Sequence, residues 1–260
     1  MDGIRYFDVH SHLNFPDFDK DREEVIEEMK REGVATVTIG TDLKTSKEAV
    51  ELAEKHENLF ASVGLHPHEA AAGFESAEYR VLAEHPKVVS IGECGLDYYR
   101  LKERDEGEKS GQKEIFQKQM ELAVFLGKPL MIHCRSAYED ALAMLAEKKI
   151  SAGERLRGVF HFFSDSAETA KKAAELGFYV SFAGPVTFTG QYDEAVKAVS
   201  KEFLLSDTDA PFAAPLPHRG RRNEPVFIKE ITACLAEKRG ESPEEVRAYI
   251  LENARRLLGL

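Results

Sequence analysis

Ile4-Arg5-Tyr6-Phe7-Asp8-Val9-His10-Ser11-His12 is the segment on which the fold turns. It is rich in residues that suit an extended strand, and it ends in two histidines spaced i and i+2. Side chains two apart on an extended chain face the same way. His10 and His12 therefore share one face, Asp8 lies one step deeper on it, and Val9 and Ser11 turn to the other side. The segment reads as a strand whose C-terminal end carries metal-ligand chemistry.

The same pattern recurs along the chain. Strand-like runs are expected at residues 4–9, 35–39, 59–63, 88–92, 130–133, 158–161, 178–181 and 203–206. Between them lie amphipathic stretches rich in Ala, Leu, Glu and Lys, at 22–31, 46–56, 112–126, 138–148 and 167–176, with a closing helix or two over 244–258. Thr45 or Ser46, Ser136 and Ser166 are candidate N-caps, and Gly33, Gly127 and Gly177 candidate stops. Residues 101–109 read as a charged, solvated loop. Regular β-then-α alternation implies a parallel sheet covered by helices. Eight such units, in a chain of 260 residues, predict a (β/α)8 TIM barrel over residues 1–260 as a single hydrolase domain. An open doubly wound sheet is the alternative, but no G-x-G-x-x-G follows the first strand.

On this frame, the potential metal ligands fall at strand ends. His10 and His12 follow the first strand, Glu93 the fourth, and Asp209 the eighth, while His133 and His161 close the fifth and sixth. In a TIM barrel those ends converge on one face, where active sites are built. Taken singly, each histidine has an ordinary explanation as a packed core residue; six ligand-type side chains at five strand ends do not. Four histidines and two carboxylates suit Mg²⁺, Mn²⁺ or Zn²⁺ with an open coordination position. Six ligands exceed the need of one tetrahedral ion, so two cations sharing Glu93 is the natural arrangement. A water between two cations ionises near neutral pH, and the resulting bridging hydroxide attacks a phosphoryl or carbonyl centre. By strand alternation Cys94 and Cys134 point away from the site and read as packed residues.

Composition narrows the class of protein. With 43% hydrophobic residues the chain can build a core without disulfides, and three widely spaced cysteines, Cys94, Cys134 and Cys234, fit a reducing cytoplasm. No apolar run approaches the ~20 residues of a membrane span. A net charge of −11 argues against a broad sequence-independent grip on DNA, though not against a metal site that takes in one strand end. No obligate protein partner is evident.

Seven segments together resemble the TatD family of metal-dependent deoxyribonucleases, within the amidohydrolase-like barrels. They are Asp8-Val9-His10-Ser11-His12-Leu13, Val63-Gly64-Leu65-His66-Pro67-His68, Ile91-Gly92-Glu93-Cys94-Gly95-Leu96-Asp97-Tyr98-Tyr99, Ile132-His133-Cys134-Arg135, His161-Phe162-Phe163-Ser164, Asp207-Thr208-Asp209-Ala210-Pro211 and Arg222-Asn223-Glu224-Pro225. The resemblance implies one cation on His10, His12, Glu93 and Asp209 and a second on Glu93, His133 and His161. It implies cleavage of DNA phosphodiesters, often 3′ to 5′ from single-stranded ends, with Asp209 positioning the attacking water and taking its proton. Two positions depart from the family pattern: Asp207 stands where Glu is common, and Asp165 where Gly is usual. Both bear on substrate preference more than on hydrolysis.

Further residues are candidate substrate contacts: His66 and His68 after the third strand, Arg135 as a phosphate clamp, and Tyr98 or Tyr99 with Arg100 for base stacking. His218-Arg219-Gly220-Arg221-Arg222 is either a landing site for a nucleic-acid backbone or a solvated turn paired with Glu224. Three functions of different kinds remain open on the residues alone: a DNA phosphodiesterase; a barrel hydrolase of a small ester, lactone or amide, with aminoacyl-tRNA deacylation as a variant; and a binding protein that has kept the fold. Related barrels often bridge two metals with a carboxylated lysine after the fourth strand. Glu93 at that position favours the first reading.

Overall fold

The computed structural model describes residues 3–101 and 105–260. Eight strands, β1 (Tyr6–Ser11), β2 (Val34–Ile39), β3 (Leu59–Val63), β4 (Val88–Asp97), β5 (Leu130–Arg135), β6 (Gly158–Phe160), β7 (Tyr179–Phe182) and β8 (Leu204–Ser206), form one sheet in sequence order. Every neighbouring pair is parallel. The helices are α1 (Arg22–Glu32), α2 (Leu43–Lys55), α3 (Ser76–Ala83), α4 (Glu106–Leu126), α5 (Tyr138–Ala152), α6 (Ala167–Glu175), α7 (Asp193–Ala198), α8 (Ile228–Arg239) and α9 (Pro243–Leu258). The eight expected strands are all present, and the expected TIM barrel is the observed fold.

Strands sealed on both sides cannot show the alternation of a half-exposed sheet. All six residues of β2, Val-Ala-Thr-Val-Thr-Ile, are buried, and its two threonines satisfy their hydroxyls inside. Ser11 Oγ and Thr36 Oγ1 lie 2.9 Å apart, and Thr38 donates to Asn14 Oδ1 at 2.9 Å.

The ring closes through the segment beyond β8. Asp209 N donates to His10 O at 2.9 Å and His12 N to Ala210 O at 2.7 Å, with a parallel bridge between Ser11 and Ala210. The bonds that shut the barrel thus set Asp209 beside the two histidines of β1.

β4 runs five residues further than its expected end at 92, to Asp97, so Glu93 sits inside a strand. Its register against β5 shifts between Ile91 and Cys94. Irregularities of this kind redirect side chains near functional sites. Glu93 N bonds to Gly40 O at 3.1 Å, and Ser62 Oγ donates to Gly92 O at 2.7 Å. Gly95 (φ +131°) packs so close to β5 that a Cβ there would lie 2.1 Å from His133 O.

Helix caps differ in part from expectation. Asp42, not Thr45 or Ser46, caps α2, in a box with Thr45, because its carboxylate reaches Thr45 N at 2.7 Å. Ser136 takes a left-handed φ of 55° and Ala137 precedes α5, whereas Ser166 caps α6 as expected. Helices α3, α7 and α8 carried no expectation. The first two are short, at 8 and 6 residues, and none of the three has a side-chain cap to announce it. Residues 102–104 of the expected loop lie outside the described residues, and α4 begins at Glu106 within it.

Candidate metal centre

All six expected ligands meet at the C-terminal mouth of the barrel. His10 Nε2 and His12 Nε2 stand 3.2 Å apart. Glu93 Oε2 lies 3.6 and 3.7 Å from them, and Asp209 Oδ1 3.5 and 3.4 Å. Four atoms bonded tetrahedrally at zinc-like lengths would be ~3.3–3.6 Å from one another. These five separations are close to that spacing, and His10, His12 and Asp209 form one group of mutually close ligand atoms, His10, Glu93 and His161 another.

The second carboxylate oxygen of Glu93 faces a different set. Oε1 is 2.9 Å from His161 Nε2 and 3.0 Å from His133 Nδ1. Glu93 therefore stands between two ligand groups, one oxygen to each. Burial alone would raise its pKa, but the imidazoles of His66, His161 and His10 hold it well below the usual carboxylate range.

Hydrogen bonds around the rings decide which nitrogens offer lone pairs. His12 Nδ1 faces the Ile39 carbonyl at 3.3 Å, an acceptor, so Nδ1 carries the proton and Nε2 is free to ligate. His133 Nε2 faces Asp97 Oδ2 at 3.0 Å, which directs its lone pair at Nδ1 toward Glu93. His10 and His161 stack with ring centroids 3.6 Å apart, and their buried Nδ1 atoms have no hydrogen-bond partner among the described residues. Burial, aided by the neighbouring His161, lowers the His10 pKa well below its ordinary value, so its ring is neutral. This donor set fits divalent cations.

His66 differs. Its Nδ1 accepts from His68 N at 3.1 Å, so in the neutral ring the proton is on Nε2, which points at Glu93 Oε1 from 3.5 Å. Burial lowers its pKa to about 3. At neutral pH His66 thus offers an N–H rather than a lone pair, although it lies close enough to Glu93 and His133 to group with them.

The centre opens into a cavity of about 800 Å³, lined among others by Phe15, His66, Tyr99, Arg135, Asp165 and Phe212. Arg135 is exposed, has its guanidinium 3.6 Å over the Tyr99 ring, and makes no ion pair among the described residues. Tyr98 does not line this cavity: its hydroxyl donates to Asp140 Oδ2 at 2.8 Å. The two residues that follow β4 leave by different sides, and the ring that lines the cavity is Tyr99.

The two departures from the family pattern have structural work. Asp207 is fully buried; its Oδ2 accepts from Phe162 N at 3.1 Å and from Ser181 Oγ, fixing the turn after His161, and burial raises its pKa to about 6. Asp165 Oδ1 accepts from Thr169 Oγ1 at 2.6 Å, at the start of α6. Two members of the basic cluster are engaged elsewhere, while Arg219 and Arg221 are exposed. Arg222 forks onto both oxygens of Asp21 at 2.7 Å and reaches Glu224 at 3.0 Å, and His218 lies flat on Phe227. Cys94 and Cys134 are buried, with thiol pKa values raised by burial, as packed residues should be.

Asp97 was missed as a site residue. Besides orienting His133, it accepts from Tyr99 N at 2.9 Å and lies 3.2 Å from His68 Nε2. Burial opposes its charge, yet the His133 and Tyr99 hydrogen bonds bring its pKa to about 2. The signal was strand parity. Glu93, Gly95 and Asp97 are alternate residues, hidden when the strand is taken to end at 92.

Barrel and centre together define a metal-dependent hydrolase. The chain belongs to the family described as TatD related DNase, whose model matches residues 7–259. It is 41% identical over 256 residues to YabD of Bacillus subtilis, an uncharacterised metal-dependent hydrolase, covering 96% of this chain and 98% of the relative. A Klebsiella pneumoniae relative named 3′-5′ ssDNA/RNA exonuclease TatD is 31% identical over 265 residues, covering 98% of each. Among solved structures, that of YJJV, a TatD homologue from Escherichia coli, superimposes with a TM-score of 0.90 at 26% identity, covering 98% of each chain.

Proposed function

We propose that this chain is a two-cation phosphodiesterase that shortens DNA from single-stranded ends in the 3′-to-5′ direction. One observation carries the reading: Glu93 turns Oε2 to His10 and His12, the two histidines that Asp209 Oδ1 also faces, and Oε1 to His133 and His161. On this reading the first cation is held by His10, His12, Glu93 and Asp209, and the second by Glu93, His133 and His161. Bound there, Mg²⁺, Mn²⁺ or Zn²⁺ would neutralise charge on the phosphoryl oxygens and acidify the attacking water.

The chain's own groups supply the rest. Asp209, with its side chain 16% exposed toward the cavity, receives the proton of the attacking water as the new oxygen–phosphorus bond forms and the bond to the leaving sugar oxygen breaks. Asp8 anchors the Asp209 segment by accepting from Thr208 N at 2.8 Å and Thr208 Oγ1 at 2.6 Å. His66 donates from Nε2 to a phosphoryl oxygen, and the exposed Arg135 clamps a phosphate with its planar fork. The net charge of −11 supports action at strand ends over a long electrostatic grip. Among the described residues no helix is long and apolar enough to cross a membrane, and a single hydrolase domain working in the cytoplasm accords with this.

The test is nucleotide release from a 5′-labelled single-stranded oligonucleotide with Mg²⁺, with Mn²⁺ and with EDTA, beside Asp209→Asn. The expected result is a ladder that shortens from the 3′ end, absent with EDTA and in the variant. Oligonucleotides left intact under every metal condition would overturn the assignment and leave a small ester, an amide or aminoacyl-tRNA as the substrate to try.

A further inference from the structure

Two exposed aromatic rings line the cavity at the centre, Phe212 near His12 of the first ligand group and Tyr99 two residues beyond Asp97, which holds His133 of the second. Tyr99 is 59% exposed and Phe212 49% exposed, and both line the cavity. Neither ring is needed to fill the core, and each is fixed by the residue that bears on its ligand group. Tyr99 N is tied to Asp97 Oδ1, while the other oxygen of the same carboxylate holds His133. Phe212 N bonds to Asp209 O at 2.9 Å, a tight turn that sets the ring three residues beyond a proposed ligand. Phe15 lies against His12 with centroids 4.3 Å apart, and Phe212 stands edge-on to both rings, at 6.4 Å from Phe15 and 6.0 Å from His12.

We propose that Tyr99 and Phe212 are nucleobase platforms that receive the bases on either side of the phosphate held at the centre. The proposal rests on the nucleic-acid reading given above and deepens it. An aromatic ring stacks any base, because every base has a π-face, so two platforms give binding without sequence preference. A stacked base must first be free of its partner strand, so the same geometry selects single-stranded ends. Arg135 lies on the Tyr99 ring and makes no ion pair among the described residues. It joins the platform on the Tyr99 side to a phosphate contact, so one unit holds base and backbone together. The family's metal ligands account for hydrolysis; these two rings account for what is hydrolysed.

The experiment is a thermodynamic cycle between ring and base, using the metal-loaded full chain. Steady-state kinetics are measured on a 5′-labelled oligonucleotide and on strands abasic at the terminal or the penultimate 3′ position. Enzymes are the wild type, Tyr99→Leu and Phe212→Leu, with Tyr99→Phe and Phe212→Tyr as rescue variants. Each leucine variant is expected to raise KM for the intact strand about tenfold with little change in kcat, the size of one lost stack. Removing the base that a ring receives should cost the wild type a similar factor and cost that ring's leucine variant almost nothing more. The aromatic replacements should restore KM. Equal turnover of intact and abasic strands by the wild type overturns the proposal without any variant having to fold. Leucine penalties of the same size on intact and abasic strands overturn it as well. A wild type that cleaves no strand at all removes the nuclease reading and this proposal together, so the two failures are distinct.

Discussion

Tyr98 and Tyr99 show how much one residue of phase matters. The motif containing both was legible, and so was its place near the mouth, but which ring faces the cavity depends on the bulge in β4, which leaves no mark in composition. Asp97 was hidden for the same reason. The proposed ligands were legible because chemistry restricts ligand types to His, Asp, Glu and Cys; strand parity sets Cys94 and Cys134 aside, and all six expected side chains meet. Asp97 gives the sharpest expectation at this scale. It holds His133 so that Nδ1 faces Glu93. Asp97→Asn keeps the shape but removes the charge that fixes the ring. Losing such a supporting partner typically costs metal affinity ~10–100-fold. Manganese titration by calorimetry should show that loss at one of two sites, with the other unchanged. Equal affinities in variant and wild type would mean that Asp97 has no part in orienting the ring.

At the scale of elements, the strand count was legible and the strand lengths were not. Burial on both faces erases alternation, so β2 is a continuous buried run and β4 hides five residues beyond its expected end. The short helices α3 and α7 escaped because neither has a side-chain cap nor enough turns to establish a period. What β4 does beyond that expected end is carry Asp97 and press Gly95 against His133 O. Gly95→Ala must therefore move backbone against backbone while adopting a φ that side chains resist. The expected cost is at least ~2 kcal/mol, with the β4–β5 seam displaced and activity lost. Urea unfolding checks the stability, and metal content after dialysis checks the seam; a variant with unchanged stability would contradict the packing. A second joint links the loop after β8 to the start of α1, through Arg222 and Asp21. The hydrogen bonds from Arg222 lower the Asp21 pKa. A lowered carboxylate pKa contributes stability that is present above the unfolded value, near 3.8, and is lost as pH falls through the folded value. Because the pair is partly solvated, Arg222→Leu should lower Tm only by on the order of 1–3 °C at neutral pH. That difference should shrink below about pH 4. A penalty that persists undiminished in acid would assign the effect to packing on Phe18, over whose ring the Arg222 guanidinium lies at 4.5 Å.

For the whole molecule, the barrel solves a problem of charge. Five carboxylates, Asp8, Glu93, Asp97, Asp207 and Asp209, meet four or more imidazoles where little water reaches. Closure of the ring through Asp209 and His10 brings them together, so the fold itself assembles the site. A cluster of this kind gathers repulsions that a bound cation relieves, and the unfolded chain has no equivalent site. Cation binding must then appear as global stability. A ligand at a thousand times its Kd adds about 4 kcal/mol per site, and a chain of this size gains roughly 2–4 °C in Tm for each kcal/mol. Adding saturating Mn²⁺ to EDTA-treated protein should therefore raise Tm by roughly 8–16 °C for each tightly filled site. Glu93→Gln bears on both ligand groups at once, because each draws one of its oxygens. That variant should lose most of the Mn²⁺-dependent rise, whereas His161→Gln, which removes a proposed ligand of the second group alone, should keep most of the part due to the first. Scanning calorimetry of the three proteins with and without Mn²⁺ measures all of this. A Tm that does not move with Mn²⁺ in the wild type would show that these histidines and carboxylates are a structural network. Equal losses in the two variants would show one site in place of the two proposed.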